Sequence, residues 1–484
     1  MSISRLKTLS KDILYYGVSN MLYSLMQLIT MPVIIREMSM SEVASWNILL
    51  PTGVLLSAIV TFGMDSALVR FVLDEEESKK KIIYSTGLYF VMGFALFVSL
   101  CLGIFSQQTA KIINLSEDSI SSYVVLLCWL PGTILAQYSQ NWLKYTFQRS
   151  RFIQVLALQS AFYLISILYL KLSHQIDLHA VMLASVGSVW ISALCGLFFT
   201  QKMIKLTVDT SLLSRLLRYG CPFMILAFGF NMLFSFDKYI LSGSMNKEDF
   251  AVYSQAFRIA AVFSMIVSSF NFAFGPFSLS LLHKEDAPDS FAYLRTTYLL
   301  FMTLAGLAFT AVSKMLISLL AGRNYLEGHK YIPFFVGGYI LYGLYSFAQL
   351  GIIHSKKSYL GLYVLLCGMA IMIGLDLLLI PYIHGYGTAL GFVFGNLTMV
   401  VIANYVSGKY YMIHTNKLKD ILLLGSCLIA GVGMPVFVDI HNIYIDGLLK
   451  LLVSSLVVIA VLLSAPFETE RSLFRQALSK LNRS

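Results

Sequence analysis

Three ionisable side chains lie inside long apolar stretches of the sequence, where a charge is costly and usually faces a water-filled path or an opposite charge. Arg258 lies about nine residues into one such stretch, a depth of roughly 13 Å at 1.5 Å of rise per residue. Its guanidinium could bind a phosphate or pyrophosphate through paired hydrogen bonds. Asp237 is expected at a similar depth, so an ion pair with Arg258 is the structural alternative. Asp376 could bind a hard cation or a proton, or hydrogen-bond to neighbouring helices.

Polar residues also recur at helical spacing on several segments. A single buried amide commonly bonds to a neighbouring helix, whereas stripes on several helices indicate a hydrated cavity that could hydrogen-bond sugar hydroxyls. The stripes are Asn20, Ser24 and Gln27; Gln137, Gln140, Asn141 and Lys144; Asn231 and Ser235; and Tyr342, Tyr345, Ser346 and Gln349. We predict a substrate cavity lined by Arg258, Asn20, Gln27, Gln137, Gln140, Asn141, Lys144, Asn231, Lys238, Tyr342 and Gln349.

Catalytic and nucleotide-binding motifs are absent from the sequence. It contains no G-x-x-x-x-G-K-[ST] loop, no H-E-x-x-H pair and no serine elbow. The eight histidines form no cluster, and the six cysteines lie in apolar runs without metal-ligand spacing. We therefore predict a transporter that uses no ATP, rather than an enzyme, with no organic cofactor and no structural metal.

Fourteen apolar runs must position these residues. A chain that is 57% hydrophobic and 12% charged, with a mean hydropathy of +0.75, has too little polar surface for a soluble globule of this size. Most runs reach the roughly 20 residues that span a bilayer as a helix. We predict an all-α integral membrane protein with about 14 transmembrane helices. The runs are 13–36, 43–64, 82–105, 120–143, 152–170, 180–200, 219–241, 250–275, 296–320, 331–353, 358–382, 385–408, 421–438 and 447–466.

The basic residues alternate from one connection to the next. The amino terminus and every second connection carry 25 of the 35 Lys and Arg residues, and the opposite connections carry nine. Because basic side chains near helix ends stay in the cytoplasm, both termini are predicted there. The net charge of +10 then meets anionic lipid headgroups, so we expect membrane lipids and no nucleic acid as partners.

The chain repeats after six helices. Tyr16-Gly17 is echoed by Tyr219-Gly220, and residues 41–46 are echoed by residues 248–253. An even number of helices gives both copies the same orientation, which predicts two six-helix lobes in parallel repeat around a central cavity. The predicted domains are an N-terminal lobe over 1–201, a cytoplasmic linker over 202–215, a C-terminal lobe over 216–416, two transmembrane helices within 417–466 and a cytoplasmic amphipathic tail over 467–484.

Several stretches resemble one family. They are Gly63-Met64-Asp65-Ser66-Ala67-Leu68-Val69-Arg70-Phe71; Phe236-Asp237-Lys238-Tyr239-Ile240-Leu241; Ala251-Val252-Tyr253 with Ala256-Phe257-Arg258; and Leu377-Leu378-Leu379-Ile380-Pro381 with Gly385-Tyr386-Gly387-Thr388-Ala389. The chain is similar to the polysaccharide transporter (O-antigen flippase, Wzx) branch of the multidrug/oligosaccharidyl-lipid/polysaccharide (MOP) exporter superfamily. It departs from the family pattern at Lys238, Asp376 and Ala44, where Arg, Asn and Gly respectively are common.

The resemblance implies a bacterial inner-membrane flippase that moves an undecaprenyl-diphosphate-linked oligosaccharide from the cytoplasmic to the periplasmic leaflet by alternating access. A polysaccharide polymerase and a chain-length regulator are the partner proteins it suggests. It implies coupling to Na⁺ or H⁺ through Asp237, Asp376, Thr388 and Asn396, and a cytoplasmic gate that includes Asp65 and Arg70.

Three other functions fit parts of the pattern. A drug exporter of the same superfamily would have a smaller cavity richer in acids, which the deep Arg258 disfavours. A lipid II flippase shares the fold and the diphosphate head group, and the sequence separates it poorly from the first interpretation. A membrane polysaccharide polymerase or glycosyltransferase would need a large periplasmic loop carrying acids or bases, and all connections in this chain are short.

Overall fold

The computed structural model describes residues 26–72, 76–146, 148–233, 235–281, 287–355, 357–411, 413, 417–437 and 443–463. These ranges are helical apart from short connections and contain no strand. Short 3₁₀ helices lie at Glu117–Ser119, Gln201–Met203 and Arg323–Lys330. The α-helices are α1 (26–37), α2 (Met40–Thr61), α3 (Met64–Val72), α4 (Glu77–Ile104), α5 (Ser106–Ile112), α6 (Ile120–Tyr145), α7 (Arg149–Leu172), α8 (Leu178–Thr200), α9 (Thr210–Leu233), α10 (Phe236–Ser244), α11 (Lys247–Leu281), α12 (Ala287–Ala311), α13 (Ser313–Leu320), α14 (Ile332–Ala348), α15 (Leu350–His354), α16 (Ser358–Ile383), α17 (Gly385–Ser407), α18 (Lys417–Phe437) and α19 (Ile443–Leu463).

Eleven stretches within the described residues are long and apolar enough to cross a membrane. The α2–α3 pair forms one of them, and the others are centred on α4, α6, α7, α8, α9, α11, α12, α14 with α15, α16 and α17. The predicted all-α membrane protein is therefore confirmed. The runs 13–36, 421–438 and 447–466 overlap α1, α18 and α19, and the total of fourteen spans stays a prediction. The predicted tail over 467–484 lies outside the described residues.

The contacts between helices divide the chain after Gly243 into two compact units. The helix α9 joins the first unit because it packs against α2, α3 and α4. The sequence repeat instead places the start of its second copy near residue 216, so α9 belongs to the second copy by sequence and to the first unit by contact. The lobe boundaries predicted at 202–215 and 416 stay predictions.

The order of helices is the same in the two units. In the first, α4 and the short α5 are followed by a 3₁₀ turn and then by α6, α7 and α8. In the second, α12 and the short α13 are followed by a 3₁₀ helix and then by α14 with α15, α16 and α17. The helix after the 3₁₀ segment packs on the corresponding partners in each unit: α6 on α4 and α8, and α14 on α12 and α17. This correspondence supports the parallel repeat.

Matching caps begin the second long helix of each copy. Ser39 precedes α2, where its Oγ accepts a hydrogen bond from the Glu42 amide and the Glu42 carboxylate accepts one from the Ser39 amide. Asn246 precedes α11, where its Oδ1 accepts a hydrogen bond from the Asp249 amide at 2.7 Å. Both arrangements supply hydrogen-bond acceptors to backbone N–H groups of the first helical turn, which have no partner within the helix. They lie at equivalent positions of the 41–46 and 248–253 echo.

Candidate functional site

The glycines of α17 set how closely α16 approaches it. A Cβ at Gly387 would lie 2.9 Å from the Ile380 amide nitrogen, and one at Gly395 would lie 2.9 Å from the Cβ of Met372. At Gly391 a Cβ would lie 2.2 Å from Oδ1 of Asp376. The missing Cβ of Gly391 thus lets the Asp376 carboxylate lie against the α17 backbone, where it is fully buried.

Two of the residues predicted to couple an ion lie close in sequence to this carboxylate contact. Thr388 is one helical turn before Gly391, is buried, and donates a hydrogen bond from Oγ1 to the Gly385 carbonyl oxygen at 2.9 Å. Asn396 is buried and donates from Nδ2 to the Phe392 carbonyl oxygen at 2.8 Å. Its Oδ1 has no hydrogen-bond partner among the described residues. A carboxylate, a hydroxyl and an amide oxygen are oxygen ligands of the kind that a hard cation such as Na⁺ can bind.

Asp237 and Lys238 lie together on α10, in the first unit. Both are buried, and Lys238 Nζ is 3.4 Å from Asp237 Oδ1. The next residue, Tyr239, hydrogen-bonds through its hydroxyl to Thr52 Oγ1 at 2.9 Å and accepts a bond at its carbonyl oxygen from Asn114 Nδ2. The first bond fixes α10 against α2, and the second joins it to the segment that follows α5. The structure therefore gives Asp237 a neighbouring cation within its own helix, which the sequence interpretation did not consider.

Arg258 lies half-buried on α11, beside the 3₁₀ helix Arg323–Lys330. That segment packs closely on α11, because a Cβ at Gly328 would lie 3.1 Å from the Ala256 Cβ. Burial raises the pKa of Tyr325 in the same segment to about 12, and the positive charge of Arg258 partly opposes the rise. The guanidinium therefore lies near a buried phenol, at the end of the unit where α13 and α14 are joined.

The polar stripes differ in what they contact. On α6, Gln140 donates from Nε2 to Ser192 Oγ at 3.0 Å, which is an interhelical hydrogen bond. Gln137 is exposed, Asn141 is half-buried, and half-buried Lys144 lies with Nζ 5.5 Å from the Tyr145 ring centroid. Gln140 therefore fits the packing interpretation, whereas the other three keep surface that a ligand could reach.

The remaining stripe residues lie on α1, α9 and α14. Gln27 is exposed on α1, and Asn20 lies outside the described residues. Half-buried Asn231 on α9 bonds back to the Ala227 carbonyl oxygen at 2.8 Å. On α14, Tyr342 and Gln349 are half-buried. Between them, Ser346 Oγ donates to Asn271 Oδ1 of α11 at 2.9 Å, so this stripe faces α11 for part of its length.

The predicted gate residues lie on α3, which follows a break in the second apolar run. Phe62 and Gly63 both have left-handed backbone conformations, with φ of 51° and 65°. Such a conformation is uncommon for a bulky residue and marks a strained turn. Beyond this turn, half-buried Asp65 lies close enough to Tyr145 for an electrostatic interaction, and Arg70 is exposed.

Two buried ionic clusters of the second unit were missed from the sequence. Arg295 donates from Nε and Nη2 to Asp420 Oδ2 at 3.1 and 2.7 Å, and from Nη1 to Asn404 Oδ1 at 3.1 Å. These bonds tie α12 to α17 and α18. The only signal in the sequence was that the predicted connections around Arg295 and Asp420 lie on the same side of the membrane.

The second cluster joins α13 to α19. Lys450 Nζ lies 2.7 Å from Asp446 Oδ2, and Lys314 Nζ lies 3.8 Å from Asp446 Oδ1. Asp446 and Lys450 are at most 1% exposed. Their spacing of four residues, an acid followed by a base on one helix face, was the available signal. No group of three or more His, Cys, Asp or Glu side chains that could hold a metal ion occurs within the described ranges.

Comparison with known proteins gives a family match and a fold match. A family model described as "Polysaccharide biosynthesis protein" matches residues 9–281. No curated protein matches the sequence. The solved structure "Lipid II flippase MurJ, inward closed conformation" superposes with a TM-score of 0.73 and 14% identity, over 96% of this chain and 99% of that chain. An inward-facing multidrug resistance MATE family transporter of the MOP superfamily superposes with a TM-score of 0.62 and 14% identity, over 82% of this chain and 97% of that chain. At such identity these likenesses establish the fold.

Proposed function

Because this chain belongs to the polysaccharide biosynthesis protein family and has the fold of MOP transporters, we propose that it flips an undecaprenyl-diphosphate-linked oligosaccharide across the membrane. The family predicted from the sequence motifs is confirmed, and the chain is a multi-pass membrane transporter. In the proposal, the substrate is the repeat unit of O-antigen or a similar surface polysaccharide. It moves from the cytoplasmic to the periplasmic leaflet of the inner membrane by alternating access, with both termini in the cytoplasm.

The observation that carries the proposal is the half-buried guanidinium of Arg258 on a spanning helix. A diphosphate presents planar pairs of oxygens that a guanidinium binds with two hydrogen bonds. In the second unit, the amide of Gln349 is proposed to contact the sugar hydroxyls. In the first unit, cationic Lys144 and the amides of Gln137 and Asn141 are separately proposed as substrate contacts. Gln140 and Asn231, also predicted to line the cavity, are themselves held by hydrogen bonds to Ser192 and to the Ala227 carbonyl oxygen.

The driving force follows from the charge of the substrate. A diphosphate diester carries about two negative charges, and moving one charge across the membrane is worth roughly 2.3 kcal/mol per 100 mV. An interior-negative potential of about 100 mV would therefore favour outward movement of the doubly charged head group by roughly 4 to 5 kcal/mol. Na⁺ or H⁺ bound at Asp376, with Thr388 and Asn396, would favour return of the empty protein, and Asp237 would respond to the same ion.

The test of the binding role replaces Arg258 and measures surface polysaccharide in cells that lack the native gene. Arg258→Lys keeps the charge and loses the paired hydrogen bonds, and Arg258→Ala loses both, so transport should fall in that order. Arg323→Ala, which removes an exposed cation from the same unit, is the matched control. Normal transport by a well-expressed Arg258→Ala variant would refute the role.

Lipid II is the second candidate substrate, since the fold likeness to the structure named as a lipid II flippase covers 96% of the chain. Proteoliposomes loaded with either lipid would separate the two proposals, and valinomycin with K⁺ would show whether the potential drives the step. Transport indifferent to potential, Na⁺ and pH would instead indicate a passive scramblase. A polysaccharide polymerase and a chain-length regulator are the partners proposed to receive the product.

A further inference from the structure

Two motifs that are far apart in the sequence meet at one point of the first unit. A Cβ at Gly63 would lie 2.2 Å from the Gly220 carbonyl oxygen, and a Cβ at Gly220 would lie 2.4 Å from the Phe62 carbonyl oxygen. Real Cβ atoms do not approach other atoms so closely. The start of α3 and the body of α9 therefore touch backbone to backbone, and we call this contact the glycine crossing.

We propose that the glycine crossing is a gate contact, which forms in one state of the transport cycle and separates in the other. The proposal rests on the proposed function, because alternating access moves helices of one repeat copy against helices of the other. By sequence, α3 belongs to the first copy and α9 to the second. The crossing therefore joins the two copies backbone to backbone.

Three local features suit this contact to opening and closing. The left-handed pair Phe62 and Gly63 lies directly at the crossing, so α3 can turn there without bending a regular helix. Pro222 interrupts the hydrogen-bond ladder of α9 two residues beyond Gly220. The rings of Phe71 and Tyr219 meet edge to face with centroids 5.8 Å apart, a contact that can separate without exposing charge.

The charges nearby place the crossing at one end of the unit. Arg70 lies in the last turn of α3, and Arg215 and Arg218 lie in the first turns of α9. These residues belong to the basic connections, which the positive-inside rule assigns to the cytoplasm. We therefore assign the crossing to the inner gate, and the two backbones are in contact in this structure. Permanent small-residue packing, as between α16 and α17, is the competing explanation.

A reversible cross-link tests whether the crossing separates. In a variant lacking the six native cysteines, Phe71→Cys and Tyr219→Cys are joined by a short bifunctional methanethiosulfonate, and transport is measured in proteoliposomes. We expect the cross-link to stop transport and dithiothreitol to restore it. Full transport by the cross-linked protein would show that the contact is static and would overturn the proposal.

A second measurement needs no substrate. Gly220→Ala places a methyl group in the crossing, so the cross-linking yield of the same cysteine pair should fall several-fold. Gly93→Ala is the matched control, because its Cβ would meet nothing within 4 Å. An unchanged yield in Gly220→Ala contradicts the proposal even if the protein moves a different lipid. Conversely, a fall in yield without transport of any lipid-linked oligosaccharide would reject the proposed function and support the close contact on which the gate proposal depends.

Discussion

Arg295 is the side chain whose loss should release α18 from α12 and α17. It makes three hydrogen bonds, two to the Asp420 carboxylate and one to the Asn404 amide oxygen, and it is 5% exposed. Arg295→Met removes all three and leaves the carboxylate buried without its guanidinium. Breaking a buried pair in this way costs about 3–5 kcal/mol, so the free energy of unfolding should fall by that amount.

Two further variants separate charge from shape. Arg295→Lys keeps the positive charge but lacks the forked guanidinium that reaches both Asp420 and Asn404. The free energy of unfolding should therefore fall by about 1.5–3 kcal/mol, the value of one hydrogen bond to a charged group. The double variant Arg295→Met with Asp420→Leu removes both charges of this pair, whose side chains are 6% and 13% exposed. Because apolar replacement of a whole buried pair is often neutral or stabilising, it should recover most of the loss.

The assay is unfolding in mixed micelles at increasing denaturing detergent, followed by the loss of helical circular dichroism, because the four tryptophans all lie in the first unit. Arg323→Met, at an exposed position of the same unit, is the control for loss of one cation. If Arg295→Met and the double variant are equally destabilised, the loss comes from packing of the arginine stem and the electrostatic reasoning is wrong. A change below about 1 kcal/mol in Arg295→Met, the value of a surface pair, would refute it as well.

Three other outcomes are expected. Gly391→Ala should displace the Asp376 carboxylate and lower both transport and its dependence on Na⁺ or pH. Gly374→Ala is the control, because its Cβ would meet nothing within 4 Å, and it should leave transport unchanged. Equal transport by the two variants would contradict the role of this contact in ion binding. The Leu212 amide and the Ser211 hydroxyl lower the pKa of Asp209, so its contribution to stability is present above the unfolded value of about 3.9 and is lost as the pH falls through the folded value. The thermal stabilities of wild type and Asp209→Asn should therefore converge at acid pH, and a constant difference would show that the carboxylate charge plays no part. In a cysteine-free background, an impermeant thiol reagent added outside should label single cysteines at residues 113, 177 and 326, which are predicted to face the periplasm. It should not label cysteines at residues 78, 150, 211 and 417, which are predicted to face the cytoplasm. Labelling at residue 150 would reverse the topology.

The sequence predicted the helical membrane fold because that fold depends on local properties of the chain. Each apolar run must satisfy its own backbone hydrogen bonds in a bilayer, so run length alone indicates a helix. The spacing of Gly387, Gly391 and Gly395 on one face of α17 is likewise a local property, and it lets another helix approach closely. The break at Phe62 was not anticipated, because nothing in an apolar run marks a bulky residue in a left-handed conformation.

The buried ion clusters show where sequence reasoning stops. The totals of 25 and nine basic residues count Arg295, Lys314 and Lys450 with the connections, because a cation near the end of an apolar run usually reaches water. Each is buried because a carboxylate lies beside it, and for Arg295 and Lys314 that carboxylate belongs to a distant helix. The pairing of distant helices is a property of the fold and has no local signature. Gln140 is a similar case, because its partner Ser192 lies two helices later.

The contact between Lys314 and Asp446 also has a consequence for how the protein is made. Lys314 leaves the ribosome long before the carboxylate that lies beside it in the finished fold. At roughly 5–20 residues per second, the chain between them takes roughly 7 to 26 s to synthesise. During that interval α13 is inserted without this counter-charge, and it can be accommodated only where water or the insertion machinery shields the lysine. Arrival of α19 then supplies the counter-charge, so quality control that monitors unpaired charge would recognise a chain that ends after α13 and before α19.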